Sequence, residues 1–305
     1  MNLLNILTPL YLLITLGYLL KKYQFPNPEF WPGIERMIYY ILFPTLILVA
    51  LMRAQIDFSL IGKIAIVTLI PTQLSGLVQW FGFVSAQINN KTFSSMYQGA
   101  VRNNTAIALV VAAWLIPDKG LAIMAVIILI MIPVNNLSSI LILLRYGEPD
   151  HQVNTQWWRG IISNPLIIAC FVGLVFNLLG IRLHQALLDT ADFLGRSALP
   201  FALLAVGAGL KFNSIFQKKF AILLSSFAKL LLTPLVTWLL CQLLGVESDV
   251  AKIAIIFSAM PTAVSSYILA RQMGGDAETM AQIITFQTVM SALTLPIFLI
   301  LLNAL

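Results

Sequence analysis

Three cations, Arg102, Arg196 and Lys229, sit in or near long apolar runs of the chain, while all 12 acids fall in loops or near the ends of those runs. A charge at the centre of a bilayer costs about 2.5–3.5 kcal/mol on insertion scales. Positive charge placed at such depth suits an anionic solute. Arg102 heads the polar stretch Arg102-Asn103-Asn104-Thr105, and a second apolar run is interrupted at Met260-Pro261-Thr262-Ala263-Val264-Ser265-Ser266. Pro261 removes a backbone donor and crowds the preceding turn. Asn103 and Asn104 compete for backbone hydrogen bonds and favour non-helical geometry. If both segments unwind, their exposed N–H groups form the kind of half-helix N-terminus that attracts anions. The other reading is two kinked but continuous helices whose polar groups bond to neighbouring helices.

Each cation has a structural reading beside the functional one. Arg102 lies six residues after Met96 and could snorkel to the surface. Arg196 follows Asp192 by four residues, which favours an i,i+4 pair. Lys229 lies about ten residues into its run, where snorkelling is harder, so an inward-facing functional role is expected. Asn135 and Asn136 follow Pro133; both could face a site, and Asn135 is taken as the site candidate. Gln73, Ser225, Ser226, Gln282 and Gln287 read as groups that bind helices together. Gly207-Ala208-Gly209 reads as a close helix contact. Cys170 and Cys241, both in apolar runs, read as small buried hydrophobes.

The elements that must position these residues are membrane spans. Of the 305 residues, 59% are hydrophobic and 10% charged, against about 25% charged in soluble domains. That excludes a cytosolic enzyme, a disordered chain and a disulfide scaffold. The net charge of +6 comes from cations scattered over short loops, so no nucleic-acid surface is expected. A span takes about 20 apolar residues. Ten runs qualify: 3–20, 34–52, 60–84, 96–116, 121–144, 161–179, 187–210, 220–244, 250–270 and 280–302. They are continuously apolar, as helices are and barrel strands are not. The first run ends in Lys21-Lys22 and reads as a span rather than a cleaved leader. Ten loop cations fall on one side and five on the other, which puts both termini outside the cytoplasm of a cell (inner) membrane. Trp31, Trp157 and Trp158 stand at span edges, where an interfacial aromatic belt would place them.

The halves match at an offset of 156, pairing Pro9 with Pro165, Gly17 with Gly173, Pro44 with Pro200 and Lys63 with Lys219. At an offset of 158, Asn103 aligns with Pro261. Five spans per half is an odd number, so the second half must insert upside down. Inverted repeats of this kind mark secondary transporters with a midplane site on discontinuous helices.

The chain resembles the auxin efflux carrier family, in its bacterial permease branch. The resemblance rests on Phe43-Pro44-Thr45-Leu46-Ile47, Arg102-Asn103-Asn104-Thr105, Asn164-Pro165-Leu166 and Gly195-Arg196-Ser197-Ala198-Leu199-Pro200. Its most specific stretch is Ala259-Met260-Pro261-Thr262-Ala263-Val264, followed by Ala270-Arg271-Gln272-Met273-Gly274-Gly275-Asp276. It implies an all-α polytopic membrane protein of ten transmembrane helices, built as two inverted five-helix repeats with broken crossing helices four and nine. It also implies a scaffold from 1–56 and 147–212, a transport part from 57–146 and 213–305, and dimerisation through spans one, two, six and seven. Carried over, Asn103, Asn104, Thr105, Pro261 and Thr262 lie at the substrate site; Arg102, Asn135 and Lys229 join them from the residue reading. Family members move organic anions, so an efflux permease for a small mono- or dicarboxylate is expected, without cofactor or metal. Ala106-Ile107-Ala108-Leu109 stands where the family often has Gly and Pro, so helix four is expected to break less sharply. A sodium-coupled symporter of the bile-acid type is the alternative, disfavoured because spans four and nine carry no acid. An intramembrane enzyme is remote, since no nucleophile or metal motif is present.

Overall fold

Every described element is a helix, as the continuously apolar runs require when no water can satisfy the backbone. The structure, a computed structural model, describes residues 3–54, 60–117, 119–148, 163–181, 183–212 and 218–302. In chain order the elements are α1 (Leu3–Lys22), α2 (Phe30–Met37), a π-turn (Ile38–Leu42), α3 (Phe43–Arg53), α4 (Ile61–Ser85), α5 (Asn90–Val101), α6 (Thr105–Leu115) and α7 (Gly120–Tyr146). There follow α8 (Pro165–Leu178), α9 (Gln185–Arg196), α10 (Ala198–Ala208), α11 (Lys219–Phe227), a second π-turn (Ala228–Leu232) and α12 (Thr233–Leu243). The last are α13 (Ser248–Ser258), α14 (Ser265–Gln272) and α15 (Ala277–Leu302). Six helical stretches are long and apolar enough to cross a membrane: Phe30–Arg53, Ile61–Ser85, Gly120–Tyr146, Gln185–Ala208, Lys219–Leu243 and Ala277–Leu301.

Large apolar side chains face outward along these stretches and along α1 and α8, among them Leu12, Phe81, Phe171, Leu239, Leu293 and Ile300. In water such a surface would drive aggregation; in lipid it is the solvent-facing side. The polar side chains, by contrast, turn inward: Gln79, Ser94, Ser95, Gln98, Ser225, Lys229, Thr233 and Gln287 are all fully buried.

The two π-turns share a cause. Each ends just before a proline, Pro44 in α3 and Pro234 in α12. A proline ring collides with the carbonyl four residues back, and one extra residue per turn relieves the collision. In the second π-turn the freed Ala228 carbonyl accepts from Thr233 Oγ1 at 2.7 Å and from Ser75 Oγ at 3.2 Å. The Ala228 carbonyl is therefore not left stranded.

The chain divides into two compact units, Met1–Ile61 with Ala106–Ile132 and Trp158–Gly209, and Gly62–Thr105 with Pro133–Trp157 and Leu210–Leu305. In the first, α1 packs along α10 and α3 along α8. Glycines permit the approach. A Cβ on Gly17 would overlap the Leu204 carbonyl, and one on Gly207 the Ile14 carbonyl. A Cβ on Gly173 would stand 2.9 Å from Leu51 Cβ and 3.3 Å from the Leu48 carbonyl. Asn177 Nδ2 closes the end of α3, donating to the carbonyls of Leu51 at 2.9 Å and Ala54 at 2.7 Å. Arg196 does pair with Asp192, at 3.0 Å, and Asp192 also meets Arg53 at 3.5 Å.

Trp31 corrects the belt assignment, since it is only 2% exposed. Trp31, Ile34, Ile38 and Leu42 are all buried, at the spacing of one helical face. Trp31 belongs to that inward stripe. Trp157 and Trp158 lie outside the described residues.

Because lipid offers no hydrophobic drive for helix association, close backbone packing carries more of the stability of the first unit. Gly207→Ala is expected to cost about 1–3 kcal/mol by overpacking and to lower the unfolding temperature in detergent. Gly33→Ala, where nothing lies within 4 Å of the added carbon, should leave that temperature unchanged or raise it, by the helix preference for Ala over Gly.

Candidate functional site

Two helices of the second unit stop in mid-course at places the sequence marks. The helix that starts at Asn90 ends at Val101, and helical geometry resumes at Thr105. Arg102 takes an extended conformation, φ −82° and ψ 144°. The pieces, 12 residues in α5 and 11 in α6, are each too short for a span of about 20 residues. The same holds for α13 and α14, of 11 and eight residues, with Ala259–Val264 between them out of helix.

The backbone groups released by one break are taken up by the other. Asn104 N–H donates to the Pro261 carbonyl at 2.8 Å. Asn103 Nδ2 donates to the Phe257 carbonyl at 2.6 Å, in the last turn of α13. Thr262 Oγ1 approaches the Gln98 carbonyl at 3.4 Å, in the last turn of α5. Gln287 on α15 joins the two: its Oε1 accepts from Thr262 N–H at 2.9 Å and its Nε2 donates to the Gly99 carbonyl at 3.1 Å.

Arg102 leans on the start of α14. Its guanidinium donates to Ser265 Oγ at 3.1 Å. The first residues of a helix carry unpaired N–H groups and the positive end of its dipole. A guanidinium beside that end concentrates positive potential at the break, which suits a carboxylate and no cation.

Of the residues singled out from sequence, Arg102, Asn103, Asn104, Pro261 and Thr262 therefore meet around the two interruptions. Thr105 begins α6 directly beyond them. Asn135 lies in α7, 6% exposed, with its Oδ1 unpartnered among the described residues, and no hydrogen bond ties it to the breaks. Lys229 lies in the π-turn between α11 and α12, 0% exposed. Its depth follows from the register of its helix. Lys218 Nζ reaches Thr92 Oγ1 at 2.7 Å, and Ser225 Oγ donates to the Met96 carbonyl at 3.1 Å. These contacts run α11 parallel to α5. One further turn, about 5.4 Å, brings Lys229 to the level where α5 ends.

Gln98 escaped notice in the sequence, because a glutamine just inside an apolar run reads as a surface residue. It is fully buried, with neither end of its amide partnered among the described residues. Asp276 reads in the sequence as a loop acid. It caps α15, accepting from Thr279 N–H at 3.0 Å, and its Oδ2 also accepts from Thr92 Oγ1 at 2.9 Å and from Lys218 Nζ. Asp276 N–H donates to the Lys91 carbonyl, Ser95 Oγ to the Asp276 carbonyl, and Lys91 pairs with Glu148 at 3.0 Å. The spacing Asp276-x-x-Thr279 is the N-cap signal that could have found it.

A model of the membrane transport protein family, that of the auxin efflux carriers, matches residues 147–299. The chain belongs to this family. It is an integral membrane transporter of the permease type and not an enzyme. A relative from Methanothermobacter thermautotrophicus, named "Uncharacterized transporter", is 23% identical over 291 residues, covering 94% of each chain. A relative from Rhizobium meliloti, named "Putative malonate transporter", is 27% identical over 137 residues, 45% of this chain and 43% of its own length.

Two stability measurements check the site's construction. Gln287→Leu strips partners from the Thr262 N–H and the Gly99 carbonyl, at about 1–3 kcal/mol for each buried group left unmet. The expected result is a clear fall in unfolding temperature. Burial raises the Asp276 carboxyl, but the hydrogen bonds from Lys218, Thr279 and Thr92 outweigh it and hold the group below its ordinary 3.8. A depressed carboxylate stabilises the fold above its unfolded value and loses that contribution as pH falls through its folded one. Asp276→Asn should therefore be less stable than wild type near neutrality, and the two stability curves should converge below about pH 4.

Proposed function

We propose that the protein carries a small organic anion, a mono- or dicarboxylate, across the cell inner membrane by alternating access at the paired breaks. The observation that carries this reading is the Arg102 guanidinium set on the positive end of α14, between helix pieces each too short to span a bilayer. The amide of Asn104, the Thr262 hydroxyl and the amine of Lys229 supply the hydrogen bonds and further positive field that a carboxylate needs. Malonate is the first acid to try, since a relative of part of the chain bears that name. The ten-against-five bias of loop cations supports both termini facing away from the cytoplasm. Transport in the export direction is part of the same reading.

The architecture behind it is ten spans in two inverted repeats. Reciprocal packing supports this. Gly17 meets Leu204, while their counterparts at an offset of 156, Gly173 and Leu48, meet each other. A pseudo-two-fold axis demands that exchange: i touches j′ where i′ touches j. At an offset of 158, Ser75 Oγ lies hydrogen-bonded to its own counterpart, Thr233 Oγ1, as a residue beside such an axis would. In this reading spans one, two, six and seven form a scaffold that also dimerises, and the remaining spans move against it.

Purified protein in proteoliposomes, loaded with unlabelled acid and given labelled malonate, malate or an aromatic acid, tests the proposal. Saturable uptake of at least one acid is expected. Arg102→Gln, which removes a charge-assisted contact worth about 2 kcal/mol or more, should reduce it about 30-fold, and Asn104→Ala should reduce it as well. Sound protein that moves none of the three acids would sink the reading.

A further inference from the structure

Lys229 poses a problem that anion binding alone leaves open. Its side chain is 0% exposed and its amine has no hydrogen-bond partner among the described residues. An ammonium with neither water nor counter-charge is strongly disfavoured in a low-dielectric interior. The elements packed against its π-turn are α4, α5, α11, α12 and α15, and none brings an acid to its level. The charged groups on them stand in outer turns or in the break. Lys219 opens α11, and Glu278 lies in the first turn of α15. Lys63, near the start of α4, donates to the Gly245 carbonyl, and Lys91, at the start of α5, pairs with Glu148. Tyr97 turns its hydroxyl to Gln73 Oε1 at 3.4 Å, and Cys241 sits in the last turn of α12. Among the described residues, Arg102 stands in the break beyond α5 and Lys211 meets Thr285 of α15 and the Tyr267 ring, both of the same sign as an ammonium.

The polar side chains on the neighbouring turns are neutral. Gln98, on the last turn of α5, has both amide atoms unpartnered, and Ser226, one turn before Lys229, has an unpartnered hydroxyl. Ser225, one residue nearer the start of α11, is fully buried beside Met96. These groups can orient an amine or a carboxylate, but they cannot balance a charge.

We infer that Lys229 is the proton carrier of the transport cycle: the buried amine takes up a proton only together with the substrate anion, so that anion and proton bind, cross and leave as a pair. This rests on the anion-transport reading above. The balance is simple. A proton from water adds to the amine lone pair, the carboxylate becomes the counter-ion, and on the far side both return to water, leaving the neutral amine. Each ion raises the affinity for the other by the same factor, as linkage requires. A monoanion would then move without net charge and a dianion with one negative charge. Arg102, always protonated, attracts the anion but cannot supply the proton.

The test uses the whole chain, purified and in proteoliposomes, with malonate, malate and an aromatic acid as probes and a pH-sensitive dye inside the vesicles. In wild type, adding the transported acid outside should acidify the interior, with about one proton entering per anion, and an inwardly directed proton gradient should accelerate uptake. Lys229→Met, an apolar replacement of similar length for a buried amine, should fold with an unfolding temperature equal to or above wild type. It should lose substrate-dependent proton entry, and any anion exchange it retains should ignore pH. Anion uptake by wild type with no accompanying proton entry would overturn this inference while leaving the transport reading intact. Proton entry that survives in folded Lys229→Met would overturn the assignment to this residue. No uptake of any acid would sink both readings.

Discussion

A backbone N–H or carbonyl at membrane depth has no water to turn to, and a helix that stops there must hand its released groups to another part of the protein. The crossing around Arg102–Asn104 and Ala259–Val264 exists because two such stops satisfy each other. The last turn of α5 offers the Gln98 and Gly99 carbonyls, which Thr262 and Gln287 take up. The last turn of α13 offers the Phe257 carbonyl, which Asn103 takes up. Neither break would hold alone. Asn103 would have no carbonyl within reach, and Pro261, already short of a donor, would leave its own carbonyl unmet by Asn104.

That mutual dependence explains where function can sit. A broken helix is expensive in lipid unless its ends are met, and once met they leave oriented dipoles pointing at a common place. The start of α14 then carries a partial positive charge that no continuous helix would present. Arg102 reinforces it. The same constraint that disfavours irregular structure inside a bilayer thus brings the irregular backbone of the two breaks together. The first unit solves the opposite problem. Its helices α1, α3, α8 and α10 run without such breaks, and Gly17, Gly173, Gly195 and Gly207 bring backbone against a neighbouring helix.

Much of this was legible in the sequence, and the reason differs from element to element. The apolar runs mark the helices because length and hydropathy are local properties. The breaks are marked by Asn103, Asn104 and Pro261, residues whose own chemistry opposes a helix. Other features depend on what lies opposite and are silent in one dimension. Gln287 reads as an ordinary helix-binding group, and only the fold sets it between Thr262 and Gly99. Trp31 sits at the edge of a span and looks interfacial until the stripe of Ile34, Ile38 and Leu42 turns it inward. The π-turns are local in origin, since both precede a proline, but proline inside a helix is equally consistent with a plain kink. Asp276 gathers Lys218 and Thr92 from helices far away in sequence, and no spacing rule brings those together.

The two basic residues Arg102 and Lys229 show why type alone does not assign a role. Both lie in apolar runs without acids, yet their surroundings differ. Arg102 has a hydroxyl partner and a helix terminus before it, and a guanidinium stays charged in any environment. It acts as a fixed element of the field. Lys229 sits in a π-turn whose Ala228 carbonyl is met by Thr233 and Ser75, while its amine has no partner among the described residues. An amine can give up its charge where a guanidinium cannot, and that difference in chemistry separates attraction from coupling. A carrier built with two arginines would bind its anion in either protonation state of the surroundings. Under the coupling proposed above, one built with an arginine and a buried lysine would make occupancy depend on the proton as well.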